Sequence, residues 1–257
     1  MENNGEILLD IIIPVYNEGR NILRTLDSLC LHVKTPFRLH ICYDYENDNT
    51  LPVIRDCKRY PDISFVKNRG KGVHGAIVTG FEVSRAPAVL VFPADDDYNA
   101  AIVDKMYALF GEGCDIVAAS RFMKGGSMEG CPWIKSVFVR SASFTLNKFA
   151  FIPIKDASNG FRLFSRRAIK EVLLESSEGF TYSIELLVKC HRLGWKIGEV
   201  PAKWYERTQG KSRFKVFGWL PYYLKWYFYG FKTTYLKKYA CKVKMTGAGD
   251  KSEARTL

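Results

Sequence analysis

Five short apolar runs, separated by four segments of helical periodicity, constrain the first 120 residues more than any other feature of this chain. Leu8–Ile13 is apolar on both faces and closed by Pro14, which suits a buried strand. Arg20–Leu31 then sets Ile22, Leu23, Leu26 and Leu29 on one helical face. Phe37–Tyr43, Ile63–Val66, Ala88–Phe92 and Asp115–Ala119 read as further strands, with helices over Thr50–Lys58, Gly72–Val83 and Ala101–Phe110 between them. This alternation predicts an α/β fold with a mainly parallel central sheet flanked by helices. In such sheets ligands sit at the carboxyl ends of the strands. Further along, Trp133–Phe151 reads as a long helix, Phe161–Phe164 as a strand and Tyr182–Leu193 as a helix. Val216–Tyr239 reads as an unusually aromatic helix. No repeat or linker divides the chain, so we expect one domain over 1–215, a helical segment over 216–244 and a polar tail over 245–257.

Charge is unevenly placed. The net charge is +11, and ten Lys or Arg with no Asp or Glu lie between Arg207 and Lys244. That asymmetry calls for an acidic partner: phosphate, nucleic acid or anionic lipid. The seven cysteines show no C-x-x-C spacing, which argues against a zinc site or a disulfide framework and for a reducing compartment. Met1–Asp10 lacks the pattern of a signal peptide, and no window offers the roughly 20 uncharged apolar residues of a spanning helix.

The sharpest local feature is Pro93-Ala94-Asp95-Asp96-Asp97, directly after an apolar strand. Clustered carboxylates repel unless cations or donors compensate. Asp95 and Asp97, two residues apart, suit a hard cation such as Mg²⁺ or Mn²⁺, though an acidic loop or helix start would use the same residues. The preceding strands end in Ile13-Pro14-Val15-Tyr16-Asn17-Glu18, near Tyr43-Asp44, and near Asn68-Arg69-Gly70-Lys71-Gly72. Later come Ser120-Arg121-Phe122, Lys155-Asp156-Ala157-Ser158-Asn159-Gly160-Phe161-Arg162 and Arg207-Thr208-Gln209-Gly210-Lys211-Ser212-Arg213.

In order and spacing, over about residues 8 to 215, these motifs resemble the family 2 glycosyltransferases of the GT-A fold, especially the polyprenyl-phosphate mannose or glucose synthases. The resemblance implies an inverting hexosyltransferase. Its donor is a GDP- or UDP-sugar and its acceptor a polyprenyl phosphate at the cytoplasmic membrane face. It implies that Pro14, Tyr16, Asn17 and Glu18 shape the nucleotide pocket, that Asp44 faces the nucleoside and that Lys71 lies along the donor. Asp95 and Asp97 would hold Mg²⁺ or Mn²⁺ on the diphosphate. One departure stands out: the first Asp of the family's D-x-D motif is Pro93 here. Arg207, Lys211 and Arg213 match the basic loop near the donor phosphates, where growing charge needs cations. Arg121 and Lys135 match positions that hold an acceptor phosphate. Asp156 is either a base or acceptor-positioning group, needed as a base only for a hydroxyl acceptor, or a turn cap. The four histidines form no readable spacing.

The C-terminal segment interleaves Trp219, Tyr222, Tyr223, Trp226, Tyr227, Phe228, Tyr229 and Phe231 with lysines. Trp, Tyr and Lys favour a membrane surface, and we expect a peripheral, interfacial helix; packing on the core is the other reading. Pro221 and Lys225 count against a spanning helix. Rival functions are the same transfer to a saccharide or diacylglycerol, and a non-catalytic nucleotide- or membrane-binding protein. Nucleic acid is not an expected partner, because basic charge is confined to one segment.

Overall fold

β1 (Leu9–Val15) runs inside the main sheet, with apolar residues buried on both of its faces. Leu9, Ile11 and Ile13 pack with Ile22, Leu26 and Leu29 of α1 (Ile22–His32), whereas Ile12 joins Ile77 and Phe81 of α3 (Gly72–Val83) on the opposite side. α3 lies so close that a Cβ on Gly80 would meet Ile12 Cδ1 at 2.8 Å. The computed structural model describes residues 6–57, 59–60, 62–206, 216–236 and 243–247.

β2 (Phe37–Tyr43), α2 (Thr50–Asp56), β3 (Ile63–Lys67) and β4 (Ala88–Val91) complete the alternating half, and β2, β1 and β4 run parallel. A short 3₁₀ turn at Ala100–Ile102 leads into α4 (Val103–Gly111) and β5 (Ile116–Ser120). Then follow β6 (Ser127–Glu129), α5 (Trp133–Phe149), β7 (Arg162–Ser165), α6 (Arg166–Lys170), α7 (Thr181–Arg192), β8 (Ile197–Pro201), β9 (Lys203–Tyr205) and α8 (Val216–Tyr235). The sheet order is β3-β2-β1-β4-β7-β5-β8, and β6 pairs with β9 in a separate two-stranded ribbon.

The expected mainly parallel sheet is present, with one inversion. β7 runs antiparallel to both β4 and β5, and Arg162 stands opposite Val91 and Ala118. Because β7 enters where its neighbours leave, the loop before it, from Asp156 to Phe161, joins the carboxyl ends of β1, β4 and β5. That inversion is what brings Asp156 to the ligand edge of the sheet.

A second core layer packs α5, α7 and α8 behind the sheet, centred on Trp226, which is 1% exposed. Tyr223, Tyr227, Tyr229 and Phe231 pack against this cluster, so α8 spends part of its aromatic run on the core. Pro221 lies within α8 without ending it. Leu220, Tyr222, Leu224, Phe228 and Tyr235 remain exposed, so the helix carries large apolar groups on its outward side as well as against the core. No helix among the described residues is long and apolar enough to cross a membrane.

Candidate functional site

The loop after β1 is pinned from outside by the start of α2. Asn17 takes left-handed backbone (φ 57°), which asparagine tolerates better than most residues. Its N–H donates to Asp48 Oδ2 at 2.9 Å, Glu18 N–H donates to Thr50 Oγ1 at 2.9 Å, and Gly19 N–H donates to Asn49 Oδ1 at 3.0 Å. Gly19 is required here, since a Cβ would meet Asn49 O at 2.7 Å. The consequence is a fixed turn beyond Pro14, with Tyr16 exposed and edge-on to Tyr45 at 6.1 Å. Of the four residues expected to shape the nucleotide pocket, Tyr16 is exposed, while the Asn17 and Glu18 backbones hold the loop.

Asp44, at the end of β2, accepts a hydrogen bond from Asn68 Nδ2 at the end of β3. Asn68 also donates to Gly72 O at 3.1 Å and accepts from Gly70 N–H at 2.8 Å, so one side chain folds the turn before α3. Lys71 is exposed at the N-cap of that helix. Asp44 and Lys71 are thus brought to one rim by Asn68.

The acidic loop after β4 is held on two sides. From α1, Thr25 Oγ1 donates to Ala94 O at 2.9 Å and Ser28 Oγ to Asp97 O at 2.7 Å. From the other side, buried Asp96 accepts from the Tyr98 and Asn99 N–H groups and from Asn99 Nδ2. Burial pushes the Asp96 carboxyl up to about 6, against the pull of those hydrogen bonds. Asp96 is therefore a structural anchor, which leaves its half-buried neighbours Asp95 and Asp97 as the accessible carboxylates. Asp97 Oδ2 lies 3.6 Å from Arg24 Nε, so one of the two expected metal ligands has a cation beside it. Among the described residues no group of three His, Cys, Asp or Glu converges into a cage. The pair nevertheless fits Mg²⁺, or Mn²⁺ of similar ligand taste, which binds through one or two carboxylates completed by substrate phosphates.

Arg121 and Asp156, two of the residues expected on the acceptor side, form a buried pair. Arg121 donates from Nε to Asp156 Oδ2 at 2.7 Å and from Nη2 to Asp156 Oδ1 at 2.9 Å, and also reaches Ser158 Oγ at 2.7 Å. Asp156 further accepts from the N–H groups of Arg121, Ser158 and Asn159. Burial alone would raise its carboxyl, but the Arg121 guanidinium and these donors hold it below the usual value. Asp156 thus caps its turn, one of the two readings left open by the sequence, and holds Arg121 in place. Arg162 lies beneath, fully buried, donating to the carbonyls of Asp156, Ala157 and Ser183.

Lys135, on α5, lies 5.1 Å over the Trp204 ring and 4.0 Å from Glu206. Trp204 pairs in register with Met128, whose sulfur is 3.8 Å from Arg121 Nη1. The β6–β9 ribbon therefore links Arg121 to Lys135. Arg207, Lys211 and Arg213 lie outside the described residues. What the sequence reading missed is Asn99 and its partner Lys203, 104 positions apart, for which no local pattern gives a signal.

α5 shows a further unexpected surface. Trp133 is 74% exposed and Phe138 71%, with Ile134, Val137 and Phe144 also exposed. Ser143 and Leu146 face the core on the opposite side of the helix.

Comparison with known proteins agrees with this architecture. Residues 10–173 match the family model "Glycosyl transferase family 2". The chain belongs to glycosyl transferase family 2. Among members of this family, it is 36% identical over 188 residues to a putative glycosyltransferase, CsbB, of Bacillus subtilis, covering 68% of this chain and 53% of that one. It is 25% identical to a dolichol-phosphate mannosyltransferase of Pyrococcus furiosus, covering 80% and 59%. It is 28% identical to a dolichyl-phosphate beta-glucosyltransferase of Saccharomyces cerevisiae, covering 84% and 72%. The chain thus spans a little over half the length of the first two relatives. The fold matches glucosyl-3-phosphoglycerate synthase of Mycobacterium tuberculosis, a structure with Mn²⁺, UDP and glucosyl-3-phosphoglycerate, at a TM-score of 0.61 and 15% identity, over 95% of this chain and 83% of that one. The GT-A architecture expected from the sequence is thereby shown.

Proposed function

We propose that this family 2 chain moves a hexose, with inversion, from a UDP- or GDP-sugar to a polyprenyl phosphate at the cytoplasmic surface of a membrane. The observation that carries the choice of acceptor is the state of Asp156, 0% exposed and ion-paired through both oxygens to Arg121. A carboxylate so committed is a poor proton acceptor, whereas a hydroxyl acceptor needs one. A phosphate acceptor arrives already ionised and needs none. The names of the dolichyl-phosphate transferases among its relatives support the same acceptor class.

In this reading Tyr16 and Asp44 border the nucleoside, and Lys71 lies along the donor. Asp95 and Asp97 hold Mg²⁺ or Mn²⁺, and a bound cation supplies positive charge for the departing diphosphate. Arg207, Lys211 and Arg213 add to that charge. Arg121, fixed by Asp156, and Lys135 orient the acceptor phosphate, so that its oxygen attacks the anomeric carbon opposite the leaving group. The exposed apolar side of α5, which begins with Lys135's own turn, supports delivery of that acceptor from a lipid surface.

The test is transfer from a panel of UDP- and GDP-linked hexoses, with Mg²⁺ or Mn²⁺, to polyprenyl phosphate, diacylglycerol or a free saccharide. Sugar appearing in the lipid-phosphate fraction alone is the expected result. Transfer to a hydroxyl acceptor with no product on lipid phosphate refutes the acceptor assignment, and the absence of any nucleotide release refutes transfer itself.

A further inference from the structure

Two arginines meet at one ring. The Arg121 guanidinium carbon lies 5.1 Å from the Phe122 ring centroid, and that of Arg140, on α5, lies 4.7 Å from it. The half-buried Phe122 thus brings the exposed Arg140 to the edge of the buried Arg121–Asp156 pair. Free positive charge is unevenly shared among these cations. Arg121 spends Nε and Nη2 on Asp156 and Ser158, and its Nη1 meets the Met128 sulfur at 3.8 Å. Its charge is therefore offset by a carboxylate before any ligand arrives. Lys135 has Glu206 4.0 Å away. Arg140 differs. It donates from Nε to Ser136 Oγ at 3.2 Å, and among the described residues its partners are a hydroxyl and an aromatic ring, not a carboxylate. The chain has no Asp or Glu from Gly130 to Lys155.

A phosphate monoester is close to doubly charged near neutral pH. A cluster that holds one needs a cation whose charge is not already cancelled and whose donors are still open. A phosphate on a lipid chain also sits where apolar and polar surroundings meet. Arg140 meets both conditions, because it follows the exposed Val137 and Phe138 on the helix that also exposes Trp133 and Ile134. We infer that Arg140 binds the acceptor phosphate, supplying the positive charge that carboxylate neighbours offset at Arg121 and Lys135. This rests on the lipid-phosphate reading above and adds a residue to it that the sequence motifs did not single out.

The test is steady-state transfer to a short-chain polyprenyl phosphate in detergent micelles, from the UDP- or GDP-hexose that supports transfer. Arg140→Gln and Arg140→Lys are compared with the parent, each shown by circular dichroism to be folded. Arg140→Gln should raise the acceptor KM about tenfold or more, as for loss of a charge-assisted contact, and leave kcat and the donor KM within about twofold. Arg140→Lys should recover part of the loss, since an ammonium keeps the charge without the forked donors. Flotation with acceptor-free phosphatidylglycerol liposomes separates the acceptor from bulk lipid phosphate. An unchanged acceptor KM overturns the inference: with flotation lost, Arg140 serves the bilayer phosphates, and with flotation intact it merely packs on Phe122. A donor KM that rises as much as the acceptor KM overturns it as well, placing Arg140 on the donor side. A parent chain that forms no lipid-phosphate product overturns the acceptor reading and this inference together.

Discussion

Arg121 and Asp156 form a two-point ion pair in which the carboxylate has no exposure and the guanidinium little. Thirty-five residues of chain separate them, and the antiparallel entry of β7 brings them together. The pair closes the sheet's ligand edge between β5 and β7 and presents Arg121 toward the β6–β9 ribbon.

Removing one partner strands the other. Arg121→Ala should lower unfolding free energy by about 3–5 kcal/mol, since Asp156 is left charged, buried and without its cation. Arg121→Lys should recover only part, because an ammonium lacks the forked donor geometry. Urea denaturation measures both, and a loss below about 1 kcal/mol for the alanine variant contradicts the buried-pair account.

Asp95 and Asp97 are the accessible carboxylates of the acidic loop, and Asp97 has Arg24 beside it. Asp95→Asn should reduce transfer by about a hundredfold, comparable to loss of one charge-stabilising contact at the reacting phosphate. Asp97→Asn should have a smaller effect. Steady-state kinetics with varied Mn²⁺ read this directly; equal activity of Asp95→Asn and parent, with or without chelator, rules out the metal role.

His74, on α3, is buried, with Nε2 3.0 Å from Ser176 Oγ. Burial pushes its imidazole down to about 4 from an ordinary 6.5. Between those values the unfolded chain binds a proton that the native chain does not, so this contribution to stability is present above pH 6.5 and lost as pH falls toward 4. The loss on acidification is roughly 3 kcal/mol. His74→Gln should flatten the stability profile over that window by about this amount; an unchanged profile shows that other groups govern acid sensitivity.

Membrane contact should depend more on α5 than on the aromatic C-terminal helix. Trp133→Ser with Phe138→Ser removes two of the most exposed apolar side chains without touching Leu146 or Trp226 in the core. Flotation with anionic liposomes should fall at least about tenfold for this pair, since each large apolar group contributes about 1.5–3 kcal/mol on burial. Undiminished flotation places the contact elsewhere.

What the sequence determined by itself was the frame and the inventory of its loops. Strand runs such as Phe37–Tyr43 and helices such as Gly72–Val83 lie where periodicity placed them, because local side-chain pattern and burial agree there. The three-residue strands β6 and β9 carried too few residues for a period, β8 (Ile-Gly-Glu-Val-Pro) offered no apolar run, and the direction of β7 was invisible, since a short strand pattern reads the same for either direction of pairing. Tertiary structure decided the rest. It buried Asp156 against Arg121, and buried Asp96 between half-buried neighbours of the same chemistry. It turned Trp226 inward and Trp133 outward, though both are tryptophans in aromatic helices. It also joined Asn99 to Lys203. Pattern along a chain reports which residues want burial or charge, but which of several equivalent candidates obtains it is settled by partners distant in sequence.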